Sequence, residues 1–133
     1  MARIIVIDDD LGVRNAVKAT LAPKGHSVVL AARGDHGIAI TEVFAFDAVI
    51  VDIFMPGMDG FETIKLLRRC APEVKVIVVS GYEFRTGGGQ PPDFLRMATD
   101  LGAACCLRKP FTAGELIEAV DSSLGVGRER KFG

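Results

Sequence analysis

The amino-acid sequence predicts a doubly wound α/β domain, a five-stranded parallel sheet with five helices distributed over both faces. Three observations carry that prediction. Five short apolar runs, most of them rich in β-branched residues, alternate along the chain with five segments of helical period, the order that crossover connections between parallel strands require. Acids, a serine and a lysine stand at strand carboxyl ends, where open parallel sheets bind their ligands. A length of 133 residues suits one such domain and is too short for two ordinary ones.

The first strand is Arg3-Ile4-Ile5-Val6-Ile7, and it runs straight into Asp8, Asp9 and Asp10. From Val13 the spacing turns helical, with Val13, Ala16, Val17, Thr20 and Leu21 on one stripe until Pro23 and Gly25 stop it. Ser27 to Ala32 reads as a second strand, and Gly34 to Phe44 as a helix whose first turn Gly34 and Gly37 should weaken. Ala48 to Ile53 is an apolar strand buried on both faces, carrying Asp52 at its carboxyl end and followed by the turn Met55-Pro56-Gly57-Met58-Asp59-Gly60. Phe61, Ile64, Leu67 and Cys70 mark the third helix, which Pro72 closes.

Val74 to Val79 forms the fourth strand and ends at Ser80-Gly81. Residues 85 to 92 hold three consecutive glycines and two prolines, so a flexible loop is expected there, before a short helix at about Asp93 to Leu101. Ala103 to Leu107 is the fifth strand and leads into Arg108-Lys109-Pro110-Phe111. Thr112 with Glu115 makes a capping box for a last helix carried by Leu116, Ile117, Val120 and Leu124. The domain is expected to occupy residues 1–124, with 125–133 a short frayed tail and no attached output domain.

Composition narrows the function. A net charge of −1 gives no electrostatic footprint for nucleic acid or an anionic membrane, so direct binding to either is not expected. No apolar run approaches the roughly 20 residues that span a bilayer, and no signal peptide is evident. Three cysteines, Cys70, Cys105 and Cys106, form an odd set without metal-ligand spacing, which points to a reducing cytoplasm, and Cys105 and Cys106, in an apolar strand-like run, read as small buried hydrophobes.

The chemistry-bearing residues sit at strand ends. Asp8, Asp9 and Asp52 together can hold a hard divalent ion, and Mg²⁺ favours one or two carboxylates with waters and a phosphate. With the ion bound, Asp52 can act as a carboxylate nucleophile toward phosphorus while Lys109 neutralises the phosphoryl oxygens and Ser80 donates a hydroxyl to the same group. Taken singly, each residue has a plainer reading. A strand-terminal Asp often caps the next helix, Ser80 is an ordinary turn residue, and Lys109 an ordinary surface charge.

Four segments together resemble the receiver domains of two-component response regulators: Ile7-Asp8-Asp9-Asp10, Val51-Asp52-Ile53-Phe54-Met55-Pro56-Gly57-Met58-Asp59-Gly60, Val79-Ser80-Gly81 and Leu107-Arg108-Lys109-Pro110-Phe111. The resemblance covers about residues 3 to 124 and implies the flavodoxin-like strand order 2-1-3-4-5. It further implies that Asp52 takes a phosphoryl group from the phosphohistidine of a sensor histidine kinase or a phosphotransfer protein. Mg²⁺ would be held by Asp9, Asp52 and the backbone carbonyl of Phe54, with Asp8 acting mainly through water, while Lys109 pairs with the phosphoryl group and Lys109-Pro110 is cis. Such a domain is not a conventional enzyme. It catalyses its own Mg²⁺-dependent phosphorylation and slow dephosphorylation, and signals by switching a protein–protein surface or by relaying phosphate.

The sequence departs from that pattern in two places. Cys106 stands where the family usually has an aromatic residue, so coupling is expected through Ser80, the backbone at Gly81 and the loop 85–92. That loop also lengthens the chain between Ser80 and Lys109. Phe54 and Tyr82 flank the site by resemblance, and neither is a good water-positioning group, so a long-lived phosphorylated form is expected. Two other readings compete. Asp8-Asp9-Asp10-Leu11-Gly12 resembles the motif of haloacid-dehalogenase-like phosphatases, which would make Asp8 the nucleophile and Asp10 the general acid. Alternatively, the chain is a receiver-like binding module that works without phosphorylation.

Overall fold

The computed structural model describes residues 1–55, 60–81 and 94–125. Strands β1 (Arg3–Ile7), β2 (Ser27–Ala31), β3 (Ala48–Asp52), β4 (Lys75–Ser80) and β5 (Cys105–Arg108) form one sheet in the order β2-β1-β3-β4-β5, and every neighbouring pair is parallel. Helices α1 (Leu11–Leu21), α2 (Gly34–Val43), α3 (Gly60–Cys70), α4 (Phe94–Asp100) and α5 (Ala113–Leu124) connect and follow them. This is the doubly wound architecture and strand order that the sequence led us to expect.

The period of two along each strand sorts the core into halves. Ile4, Val6, Ile50, Ile77 and Val79 pack with Val17 and Leu21 of α1 and Leu116 and Val120 of α5. Ile5, Ile7, Val49, Val51, Val76 and Val78 pack with Ile64 and Leu67 of α3 and Ala98 of α4, and α2 adds Ile38 and Ile40. β3 lies mid-sheet and is buried at all five residues, which is why its sequence is apolar without alternation until Asp52.

The helix ends follow the sequence closely. Asp10 caps α1, its carboxylate accepting from the N–H groups of Gly12 and Val13, and α1 therefore starts at Leu11, earlier than its apolar stripe suggested. Thr112 and Glu115 form the expected capping box on α5. Lys109-Pro110 is cis. Three expectations need correction. Ala16 and Cys70, placed on buried stripes, are exposed, because each lies at the margin of its helix's apolar face. Cys105 and Cys106 are half-buried rather than fully so. Gly34 and Gly37 are both buried, and Gly37 is there for contact: a Cβ on it would lie 2.4 Å from Ile7 Cδ1. The loop 85–92 and most of the tail lie outside the described residues.

Candidate functional site

β1 and β3 are neighbours, so their carboxyl ends deliver Asp8 and Asp52 side by side. Both acids are almost inaccessible, at 2% and 4% exposure, whereas Asp9 is exposed. One carboxylate oxygen from each of Asp8, Asp9 and Asp52 can be chosen so that all three lie within 4.8 Å of one another. Such a set of hard anionic oxygens fits a small divalent cation, and Asp9 has no hydrogen-bond or ion-pair partner among the described residues to compete for it.

Lys109, just past β5, is held by its N–H bonding to the Ser80 carbonyl at 2.8 Å. Its ammonium lies 3.0 Å from Asp52 Oδ2 and 3.1 Å from Asp8 Oδ2, joining two acids from different strands. The other oxygen of each acid is tied to backbone: Asp52 Oδ1 accepts from the Phe54 N–H at 2.9 Å, and Asp8 Oδ1 from the Asp10 N–H at 2.9 Å. Burial pushes both carboxyls up from their ordinary range; for Asp8 the Asp10 N–H and Lys109 resist, for Asp52 the Phe54 N–H and Lys109. Burial alone would lower the Lys109 ammonium. The hydrogen bond and charge of Asp52, with the charge of Asp8, outweigh it and raise the pKa.

Ser80 ends β4, one residue beyond the partner of Asp52 in the ladder. Its hydroxyl is fully buried and has no hydrogen-bond partner among the described residues, a costly arrangement unless a further acceptor arrives. Cys106 pairs with Val78 in the ladder and packs on the α3/α4 side of the sheet. Burial raises its thiol pKa, while a hydrogen bond from Thr99 of α4 opposes the shift. Phe54 is half-buried against the same core half. Tyr82 and Asp59 lie outside the described residues.

The site thus gathers Asp8, Asp9, Asp52, Ser80 and Lys109 along three adjacent strand ends and the start of a fourth connection. Asp10, the general acid of the phosphatase alternative, spends its carboxylate on the α1 cap, which disfavours that reading. The sequence does not disclose the roles of two residues. Gly60 lets α3 begin against β3, since a Cβ there would fall 2.2 Å from the Ile53 Cα and 2.5 Å from the Asp52 carbonyl oxygen. Arg14 reaches back from α1 to the Asp8 carbonyl at 2.8 Å. An Asp directly before a helical pattern was the available signal for the α1 cap; nothing in the sequence announced Arg14.

Fold and site together define a parallel α/β domain with a lysine-bridged acidic pocket at the carboxyl edge of its sheet. A family model for the response regulator receiver domain matches residues 4–121, and the chain belongs to that family. Among its relatives, the transcriptional regulatory protein DltR of Streptococcus agalactiae is 34% identical over 118 residues, which are 89% of this chain and 50% of that protein. Sporulation initiation phosphotransferase F of Bacillus subtilis is 29% identical over 122 residues, covering 92% of this chain and 93% of that one. The chain spans about half the length of the first of these relatives and nearly all of the second.

Solved structures agree. Chemotaxis protein CheY4 of Vibrio cholerae superposes with a TM-score of 0.81 at 28% identity, over 93% of this chain and 99% of that one. A CheY-like receiver domain protein of Methanospirillum hungatei gives 0.84 at 27% identity, over 100% and 99%. No helix among the described residues is long and apolar enough to cross a membrane.

Proposed function

We propose that Asp52 is the phosphoacceptor of this receiver domain and takes its phosphoryl group from a phosphohistidine on a histidine kinase or phosphotransfer protein in the cytoplasm. A carboxylate oxygen of Asp52 attacks phosphorus, the P–N bond to the partner's imidazole breaks, and the leaving nitrogen keeps the electron pair. The observation that carries this reading is the Lys109 ammonium lying 3.0 Å from Asp52, the buried acid at the end of the middle strand β3. Lys109 neutralises charge on the transferred group, and the Ser80 hydroxyl, buried and without a hydrogen-bond partner among the described residues, supplies it with a hydrogen bond.

Asp8, Asp9, Asp52 and the backbone carbonyl of Phe54 are the residues that would hold Mg²⁺. When bound, the ion supplies positive charge to the phosphoryl oxygens. Asp8, behind the more exposed Asp9, would act on the ion mainly through water. For the partner we assign the groove of about 560 Å³ beside the pocket, bounded by α1 at Val13 and Ala16 and by Pro110 and Phe111. Leu11, 60% exposed at the start of α1, offers an apolar contact next to it. Residues 1–124 make up the unit that switches, and its output is contact with another protein or onward relay of the phosphate.

Incubation with a small acyl phosphate and Mg²⁺, read by intact mass, tests the proposal. One added phosphate that disappears in Asp52→Asn is expected. No adduct would favour the phosphorylation-independent binding module, and turnover of an aryl phosphate ester would favour the phosphatase.

A further inference from the structure

Asp8 is held at every polar group it has. Its N–H donates to the Ala31 carbonyl at 3.1 Å, Oδ1 accepts from Asp10 N–H at 2.9 Å, and Oδ2 meets Lys109 at 3.1 Å. The fourth contact is Arg14 Nη1 to the Asp8 carbonyl oxygen at 2.8 Å, made by a half-buried side chain on the first turn and a half of α1. That carbonyl lies beyond the ladder, which ends at Ile7 against both Ala31 and Val51, so no strand supplies it with a donor. The oxygen belongs to the peptide that joins Asp8 to Asp9. A peptide group is planar, so a bond at its oxygen fixes the plane from which both acids depart.

We propose that Arg14 is a positioning residue of the acidic pocket: by holding the Asp8–Asp9 peptide it sets the spacing of the Asp8, Asp9 and Asp52 carboxylates and thereby the pocket's affinity for a divalent cation. This rests on the metal-assisted phosphoacceptor reading given above. Arg14 works through the backbone. Its bond is to the Asp8 main-chain oxygen and not to a carboxylate. Of the four contacts on Asp8, the Arg14 bond is the one that a single substitution removes without touching an acid or the lysine. Residues that orient metal ligands without binding the ion change affinity by about 10–100-fold.

The test compares Arg14→Met, which keeps an apolar stem and loses the donor, with Arg14→Lys, which restores a donor. Backbone NMR in metal-free buffer and Mg²⁺ titration of the full chain supply the readouts, with melting temperature as the control for packing. Arg14→Met is expected to shift the Asp9 and Asp10 amides in metal-free buffer and to weaken Mg²⁺ binding by about 10-fold. Its melting temperature should stay within about 2 °C of the parent. Arg14→Lys should reverse much of both changes. Parental amide shifts and parental Mg²⁺ affinity in Arg14→Met would overturn the inference, and so would equal losses in both variants accompanied by equal drops in melting temperature. If the parent itself binds no Mg²⁺, the proposed function fails. The inference fails with it as regards affinity, while the metal-free amide shifts still report whether Arg14 orients the peptide.

Discussion

The Lys109 ammonium sits 3.0 Å from Asp52 Oδ2, joining the end of β5 to the end of β3 across the intervening β4. It is the cation at the centre of a pocket holding three carboxylates. Removing it in Lys109→Met leaves two buried acids facing each other without their shared counter-charge. Because the lysine side chain retains 18% exposure, the cost should fall below the 3–5 kcal/mol of a wholly buried broken pair, at about 1–3 kcal/mol in metal-free buffer at pH 7. Urea unfolding measures it. Combining Lys109→Met with Asp52→Asn should cost less than the two single losses added together, and strict additivity would mean that the pair is not coupled.

Stability should also depend on pH in a direction opposite to that of ordinary surface acids. The Asp8 and Asp52 carboxyls hold their protons more tightly when folded than the usual 3.8 implies. As pH rises through 3.8 the unfolded chain ionises first, so stability present below that value is lost until the folded carboxyls have ionised too, and is then level. Lys109 has the same sign at the other end of the scale: its raised pKa adds stability that persists below 10.5 and is lost as pH climbs beyond it. Asp8→Asn should therefore flatten the acid-side decline. It should raise the metal-free melting temperature at pH 7 by roughly 2–8 °C, the equivalent of about 1 kcal/mol in a domain of this size. Saturating Mg²⁺ should recover stability in the parent by mass action and do so less in the variant. A melting temperature that falls in Asp8→Asn would contradict the burial argument.

Two glycines separate packing from site geometry. In Gly60→Ala the new methyl meets the Ile53 and Asp52 backbone, which cannot step aside without moving the strand end that carries Asp52. In Gly37→Ala it meets the Ile7 side chain, which can shift at lower cost. Gly60→Ala should lose about 1–3 kcal/mol or more and slow phosphorylation; Gly37→Ala should lose less and phosphorylate normally. Chemical denaturation with parallel phosphorylation assays distinguishes them, and equal effects on phosphorylation would sink the distinction.

Much of this was readable from the chain. Asp52 closing a strand apolar on both faces, three acids closing another, and Lys109-Pro110 after a third converge only in a parallel sheet, so pattern and chemistry gave one answer. Asp10 is legible as a cap from its place directly before the helical pattern, while its side chain is the same as those of Asp8 and Asp9, and only the path of the chain turns it onto α1. Gly37 and Gly60 were readable as helix weakener and turn residue, whereas their roles are close approaches that arise only when α2 and α3 pack on the sheet. Arg14 had no sequence signal, since its contact depends on the path of the β1–α1 turn. Cys106 is visible in the sequence as a departure from the family pattern, whereas its hydrogen bond with Thr99 arises only when α4 packs on the sheet.

The lifetime of the phosphorylated form should depend on Phe54. Two residues beyond Asp52, half-buried against the core and bonded to Asp52 through its N–H, its ring carries no polar atom to orient an attacking water. Phe54→Asn supplies one and should speed spontaneous loss of phosphate by roughly ten-fold with little change in fold. Decay followed after removal of the phosphodonor decides it; a rate equal to the parent's means that Phe54 does not shield the group.

Whether Asp52, and no other acid of the pocket, accepts the phosphoryl group can be read by trapping the adduct where it forms. Borohydride reduces an acyl phosphate to the alcohol, so protein treated with acyl phosphate and Mg²⁺, reduced and digested, should yield a peptide with homoserine at position 52 and unchanged aspartates at positions 8, 9 and 10. Homoserine at position 8 would rule out Asp52 as the acceptor and return the chain to the phosphatase reading, and no homoserine at any of these positions would mean that the pocket does not take the phosphoryl group at all.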